Sequence, residues 1–182
     1  MPITIHPIAN HPEFVPTVAA WYKSYWGPRF PGLTQKDWEN TIAINQNQLP
    51  FTIIAIDTDT NTPVGTATLK LCGMGNYKAD KSWLSSLYVV PEYRGKKIAT
   101  QLIVSIEAVA QKKFPEIYLY TKTDGRIYKQ LGWVEIDSVE LQGQSFRVMK
   151  KPLTLLYNCN RLFSNHSHQS TSEEKSTLVS KL

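Results

Sequence analysis

The chain has 182 residues, 42% of them hydrophobic, which is enough for one buried core and too little for two large domains. Twenty Lys and Arg against 15 Asp and Glu give a net charge of +5 and a pI near 9.1, a balance suited to an anionic ligand or an acidic partner. The cations are scattered rather than gathered with aromatics on one face, which argues against a nucleic-acid-binding domain.

The start, Met1-Pro2-Ile3-Thr4-Ile5-His6, lacks the basic residues and apolar run of a signal peptide, and no later stretch is long enough to span a bilayer. A cytoplasmic protein without a membrane partner is the expectation. Cys72 and Cys159 lie far apart without CxxC spacing, so neither a disulfide framework nor a metal site is indicated.

Residues 2–6 alternate apolar and polar side chains, as a short strand does. From Glu13 to Trp26, Phe14, Val18, Trp21, Tyr22 and Tyr25 recur at intervals of three and four and predict an amphipathic helix ended by Gly27-Pro28. Thr34 is placed to cap a second helix, with Asp37 in its first turn, running to about Asn47 before Pro50. Phe51–Asp57 and Val64–Leu71 read as strands joined by a turn rich in Asp and Thr, hence an antiparallel hairpin. After a loop over residues 73–81, Trp83–Val90 is a third strong strand.

Ile98, Leu102, Ile103, Ile106, Val109 and Ala110 give the next helix a broad buried stripe, closed at Lys112-Lys113. Ile117–Thr121 is a buried strand with a parallel route back to the sheet, because a helix separates it from its neighbour. Asp124–Leu131 is a short helix ended by Gly132, and Trp133–Glu140 and Ser145–Lys150 flank Leu141-Gln142-Gly143-Gln144 as a last hairpin. The expected fold class is α/β (α+β): a mixed, mostly antiparallel central sheet of about seven strands with helices on both faces. The folded domain should occupy residues 1–152. Residues 153–182 turn polar after Leu153–Tyr157 and read as a mobile tail, in which His166 and His168 need no function beyond polarity.

The segment around which the chain is organised is Val89 to Thr100, where a strand ends, a basic Gly-containing turn follows, and a helix opens. Backbone N–H groups at a helix start have no partner inside the helix and carry the positive end of its dipole, so such a turn can hold phosphate oxygens. An ordinary connection with a solvated basic face is the other reading of the turn alone.

Leu87-Tyr88-Val89-Val90-Pro91-Glu92-Tyr93-Arg94-Gly95-Lys96-Lys97-Ile98-Ala99 resembles the acetyl-CoA signature of the GNAT superfamily of N-acetyltransferases, and Ile127-Tyr128-Lys129-Gln130-Leu131-Gly132-Trp133 resembles a second element of that family at the expected distance. The resemblance covers about residues 2–150. It implies an enzyme that moves an acetyl group from acetyl-CoA, its co-substrate, directly to a primary amine on a small molecule or a peptide N-terminus, without a metal. Arg94, Gly95, Lys96, Lys97, Ile98, Ala99 and Thr100 would hold the pyrophosphate. Leu87, Tyr88 and Val89 would splay from the parallel strand and leave backbone groups for the pantetheine arm, one of them near Val89 facing the thioester oxygen.

Lys97 departs from the family pattern, which has Gly there, and a side chain disfavours positive φ. Tyr128 stands where many relatives place the acid that protonates the departing thiolate, although a tyrosine packed at a helix–sheet boundary is the other reading. Thr121 replaces an Asn common in relatives. The strand Trp83–Val90 carries no acid, which leaves Glu116 and Asp80 as candidate general bases. Acceptor selection by the first helix pair and the last hairpin points to Trp26, Arg29 and Phe30, with Trp38 and the turn 141–144, and Arg29 suggests an acceptor bearing carboxylates. The missing strand acid also keeps open a non-catalytic CoA- or acyl-CoA-binding regulatory module. Either a monomer or a homodimer fits these features.

Overall fold

The computed structural model describes residues 2–42, 48–71, 80–141 and 143–154. Seven strands, β1 (Ile3–Pro7), β2 (Phe51–Asp57), β3 (Thr62–Leu71), β4 (Ser82–Val89), β5 (Glu116–Thr121), β6 (Val134–Leu141) and β7 (Gln144–Pro152), form one sheet in the order β1-β2-β3-β4-β5-β7-β6. Only β4 and β5 run parallel, joined through helix α3 (Ile98–Ala110). The mixed, mostly antiparallel sheet expected from the sequence is therefore present.

Helices cover both faces, because the strands between them are buried on both sides. On one face α3 places Ile98, Leu102, Ile103, Ile106 and Ala110 against Ile53 and Ala55 of β2, Val64, Ala67 and Leu69 of β3, and Ile117 and Leu119 of β5. On the other face helices α1 (Val15–Trp26) and α2 (Gln35–Asn40) bury Val18, Ala19, Tyr22 and Trp38 against Ile54 and Ile56. The alternation of Ile53, Ile54, Ala55 and Ile56 between the two clusters shows how one apolar run serves both cores.

Element ends differ from expectation for local reasons. Helix α1 begins at Val15, after a 3-10 turn over Pro12–Phe14, rather than at Glu13. This start keeps Pro16 inside the first turn, where a missing N–H costs nothing; a helix opening at Glu13 would need that N–H. Thr34 does cap α2: its Oγ1 accepts from Asp37 N–H at 3.2 Å, and Asp37 Oδ2 accepts from Thr34 N–H at 2.8 Å. The second helix is shorter than expected, ending at Asn40, and residues 43–47 lie outside the described residues. The short helix α4 spans Arg126–Gln130; Asp124, expected inside it, instead turns back to accept from Arg126 N–H at 3.0 Å. Cys72, most of the loop 73–81, Gln142 and the tail from Leu155, with Cys159, His166 and His168, also lie outside the described residues.

Two irregularities shape the centre of the sheet. Between the pairs Thr66↔Tyr88 and Thr68↔Ser85, β3 spends one residue where β4 spends two, a bulge at Ser86-Leu87 with Ser86 at φ 52°. β4 and β5 are in register at a single pair, Trp83↔Tyr118. Beyond that pair the two parallel strands part.

Candidate active site

The turn between β4 and α3 is built to stay open. Pro91–Tyr93 forms a 3-10 turn, and Tyr93 Oη donates to Asp57 Oδ2 at 2.8 Å. Asp57 is almost fully buried and also accepts from Asp59 N–H, so the turn is pinned to the end of β2. That carboxylate raises the Tyr93 phenol above its ordinary pKa. Arg94 Nε donates to the Val89 carbonyl at 3.2 Å, and Lys96 Nζ lies 4.4 Å above the Tyr93 ring.

Gly95 takes φ +77° with nothing near the position of a Cβ, and Lys97, at the N-cap of α3, takes φ 61° without a side-chain cap bond. Ile98 is buried, while Arg94, Lys96 and Lys97 are exposed around the turn. The N–H groups of Ile98, Ala99 and Thr100 belong to the first helical turn and have no intrahelical acceptor. Basic side chains, an uncovered glycine and free helix-start donors fit a bulky phosphate group. The backbone at Lys97 holds the left-handed conformation despite its side chain.

Where β4 and β5 separate, a cleft of about 600 Å³ opens. One wall is Ser85, Ser86 and Leu87 from β4 and Leu119, Tyr120 and Thr121 from β5. The bulge is braced from α1: the buried Tyr22 hydroxyl shares hydrogen bonds with Thr66 and Thr68, at 3.5 and 3.2 Å, and with Ser86. Of the other strand residues expected at a cofactor site, Tyr88 packs on Trp21 and Tyr25 at 5.4 and 6.0 Å, and Val89 is in the core. Only Leu87 of the three lines the cleft with its side chain.

Tyr128 enters this cleft from α4, half-buried, its ring edge-on to Trp133 at 6.1 Å. Burial, with a smaller contribution from Tyr25, pushes its phenol up to about 12. The hydroxyl thus stays protonated throughout the neutral range.

Residues 15–133 match the Acetyltransferase (GNAT) family. The chain belongs to the GNAT acetyltransferase family. No curated protein matches it in sequence. Among solved structures it is similar to Arabidopsis thaliana NAA60 in complex with a bisubstrate analogue, at TM-score 0.61 and 16% identity, covering 85% of this chain and 99% of that one. An aminoglycoside 6'-N-acetyltransferase complexed with coenzyme A superposes at TM-score 0.62 and 18% identity, covering 84% and 97%. The phosphinothricin acetyltransferase of Sinorhizobium meliloti in complex with AcCoA gives 0.63 and 14%, covering 84% and 89%. These likenesses concern the fold.

In this GNAT chain Trp26, Arg29 and Phe30 all line the cleft that holds Tyr128. Trp26 stacks edge-on with Tyr22 at 5.2 Å and Phe30 with Trp38 at 5.9 Å, and the Arg29 guanidinium lies 5.5 Å from the Phe146 ring centroid. The hairpin lines the cleft through Phe146; of the expected turn, whose Gln142 lies outside the described residues, Gln144 takes part as a hydrogen-bond acceptor for Lys122 Nζ. Lys122 and Phe146 were not singled out from the sequence. Their signal was a period of two: Tyr118 and Tyr120 fall on one face of β5, Lys122 continues that alternation just past its end, and Phe146 and Val148 alternate in the same way on the paired β7.

Neither candidate base lines the cleft. Glu116 sits at the opposite end of β5, where the Tyr118 hydroxyl at 2.6 Å and Lys150 at 3.2 Å hold its carboxyl below the usual range. Asp80 is exposed and pairs with Lys81 at 3.4 Å. Among the described residues, the titratable groups lining the cleft are Arg29, Lys70, Lys122 and tyrosines; no carboxylate or imidazole is present. Nor do three or more His, Cys, Asp or Glu side chains gather anywhere in the described chain, and no described helix is long and apolar enough to cross a membrane.

Proposed function

We propose that this GNAT acyltransferase moves an acetyl group from acetyl-CoA to a primary amine by direct transfer, with Tyr128 as the general acid. The observation that carries the reading is a protonated phenol lining the cleft that opens where β4 and β5 part, in a fold whose β4 runs on into an open basic turn at the start of α3. Bound acetyl-CoA supplies a thioester whose carbonyl carbon the amine attacks, forming an amide and breaking the C–S bond. Arg94, Gly95, Lys96 and Lys97, with the N–H groups of Ile98, Ala99 and Thr100, hold the pyrophosphate. The parted strands admit the pantetheine arm, the Tyr128 hydroxyl gives its proton to the departing sulfur, and the proton that the attacking nitrogen loses returns to the phenolate and restores the acid. A phenol held near 12 is a weak acid, and the same removal from water that raises it also raises the basicity of the departing thiolate.

The acceptor is a small-molecule amine or a peptide N-terminus, and a cytoplasmic setting belongs to the same reading. Because no carboxylate or imidazole lines the cleft among the described residues, a second reading has support: a regulatory module that binds acyl-CoA without turning it over. Thiol release from acetyl-CoA across a panel of amines separates the two. Release that depends on the amine supports transfer; a thermal shift with acetyl-CoA but no release with any amine supports the module.

A further inference from the structure

We propose that Arg29 and Lys122, both set against the Phe146 ring, form a binding site for an oxyanion carried by the acceptor, a carboxylate or a phosphonate, and so select acidic amines. This rests on the acyl-transfer reading and adds the acceptor's chemical class and two residues, Lys122 and Phe146, to its recognition.

The argument begins with the charges. Arg29 Cζ is 5.5 Å and Lys122 Nζ 5.2 Å from the centroid of the same ring. Neither cation is ion-paired to a carboxylate among the described residues; the Lys122 ammonium bonds to the neutral side chain of Gln144. Two cations brought to one ring without an anion repel each other, and burial followed by Arg29 lowers the Lys122 pKa from its ordinary value. Other sites in this chain answer such charges: Arg147 with Glu135 at 2.8 Å, Lys150 with Glu116, Lys151 with Glu107. At Arg29 and Lys122 the answering charge is left to a ligand.

The second part is position. Both cations line the cleft with Tyr128, and among the described residues no acidic group lines it to compete for them or to bind a cationic acceptor. The Phe146 ring is buried and contacts Tyr120 edge-on at 5.6 Å, so it is a fixed platform. A guanidinium offers a carboxylate two parallel N–H donors, and an ammonium beside it adds a third.

The test is binding of product-like probes, which needs no turnover. N-acetylalanine, its amide and N-acetylaminomethylphosphonate are titrated by calorimetry into the full-length protein in the presence of CoA. The acid and the phosphonate should bind at least roughly tenfold more tightly than the amide, because a hydrogen bond to a charged group is worth that much. The preference should shrink in Lys122→Gln and Arg29→Gln and persist in Lys122→Arg. A tighter phosphonate assigns a dianionic acceptor, and a tighter acid a carboxylate. Equal binding of acid and amide, no binding of either anion, or an unchanged preference in Lys122→Gln and Arg29→Gln overturns the proposal. Failure of the acyl-transfer reading is seen separately, as no CoA release with any amine.

Discussion

Trp133 donates its indole N–H to Glu107 Oε1 at 2.7 Å, and the other oxygen of that nearly buried carboxylate accepts from Lys151 at 2.5 Å. Trp133 follows the short helix that carries Tyr128, and Glu107 belongs to the helix that opens behind the basic turn. One carboxylate therefore ties together the two sides of the active site and the last strand. Glu107→Ala strips Trp133 and Lys151 of their partner and should cost about 3 kcal/mol of unfolding free energy, while Trp133→Phe should cost about 2. Urea unfolding followed by far-UV circular dichroism measures both. A loss below 0.5 kcal/mol, an order-of-magnitude threshold for an exposed site, would show that the link contributes little.

Tyr128→Phe should lower kcat by about a hundredfold and leave CoA affinity within about twofold, the signature of a group needed only in the chemical step. Its pH behaviour follows from burial. In the folded protein the phenol is held up to about 12. Below that value it stays protonated, so the wild-type kcat should show no descending limb from this group up to about pH 11. In the unfolded chain the phenol titrates near 10. Between these values the folded state binds more protons, so wild-type stability falls with rising pH across that window. Tyr128→Phe should remove this part of the fall.

Lys97→Gly should raise stability by up to about 1 kcal/mol, since the left-handed backbone at Lys97 is strained for any residue with a Cβ and glycine adopts it freely. The gain should appear as a rise in Tm of about 2–4 °C. The same substitution removes a cation from the turn proposed to hold the pyrophosphate and should weaken CoA binding by several-fold, measured by calorimetry at low and high salt.

Tyr93→Phe releases the basic turn from Asp57 and leaves that buried carboxylate with one donor fewer. Loss of about 1–2 kcal/mol is expected, with a several-fold rise in the Kd for CoA and little change in acceptor KM. An equal effect on the acceptor would mean that the bond supports the fold as a whole rather than the turn.

Much of this architecture was legible in the chain. The β-branched run Phe51–Asp57, the stripe from Ile98 to Ala110 and the Thr34–Asp37 capping pair specify their elements through local periodicity and local hydrogen bonds. The turn from Arg94 to Thr100 was readable because its chemistry is contiguous. The acceptor side was readable only in part. Arg29 and Phe30 stand out as exposed types in a loop, but Phe146 reaches Arg29 because β7 inserts between β5 and β6, a pairing that no local pattern encodes. Glu116 and Asp80 do not line the cleft for a related reason: Glu116 stands at the first position of β5 and Asp80 precedes β4, while the cleft opens farther along both strands.

The brace between Tyr22 and the bulge has a consequence for acyl-group choice. The width of the gap between the parallel strands is governed by how far β4 bends, and that bend is gripped by a phenol from α1 through Thr66, Thr68 and Ser86. In the proposed reaction, the helix that carries Trp26 to the acceptor side thus also holds the strand beside which the donor would lie. Tyr22→Phe, which removes that grip, should therefore change the relative rates with acetyl-CoA and longer acyl-CoA donors as well as the acceptor KM.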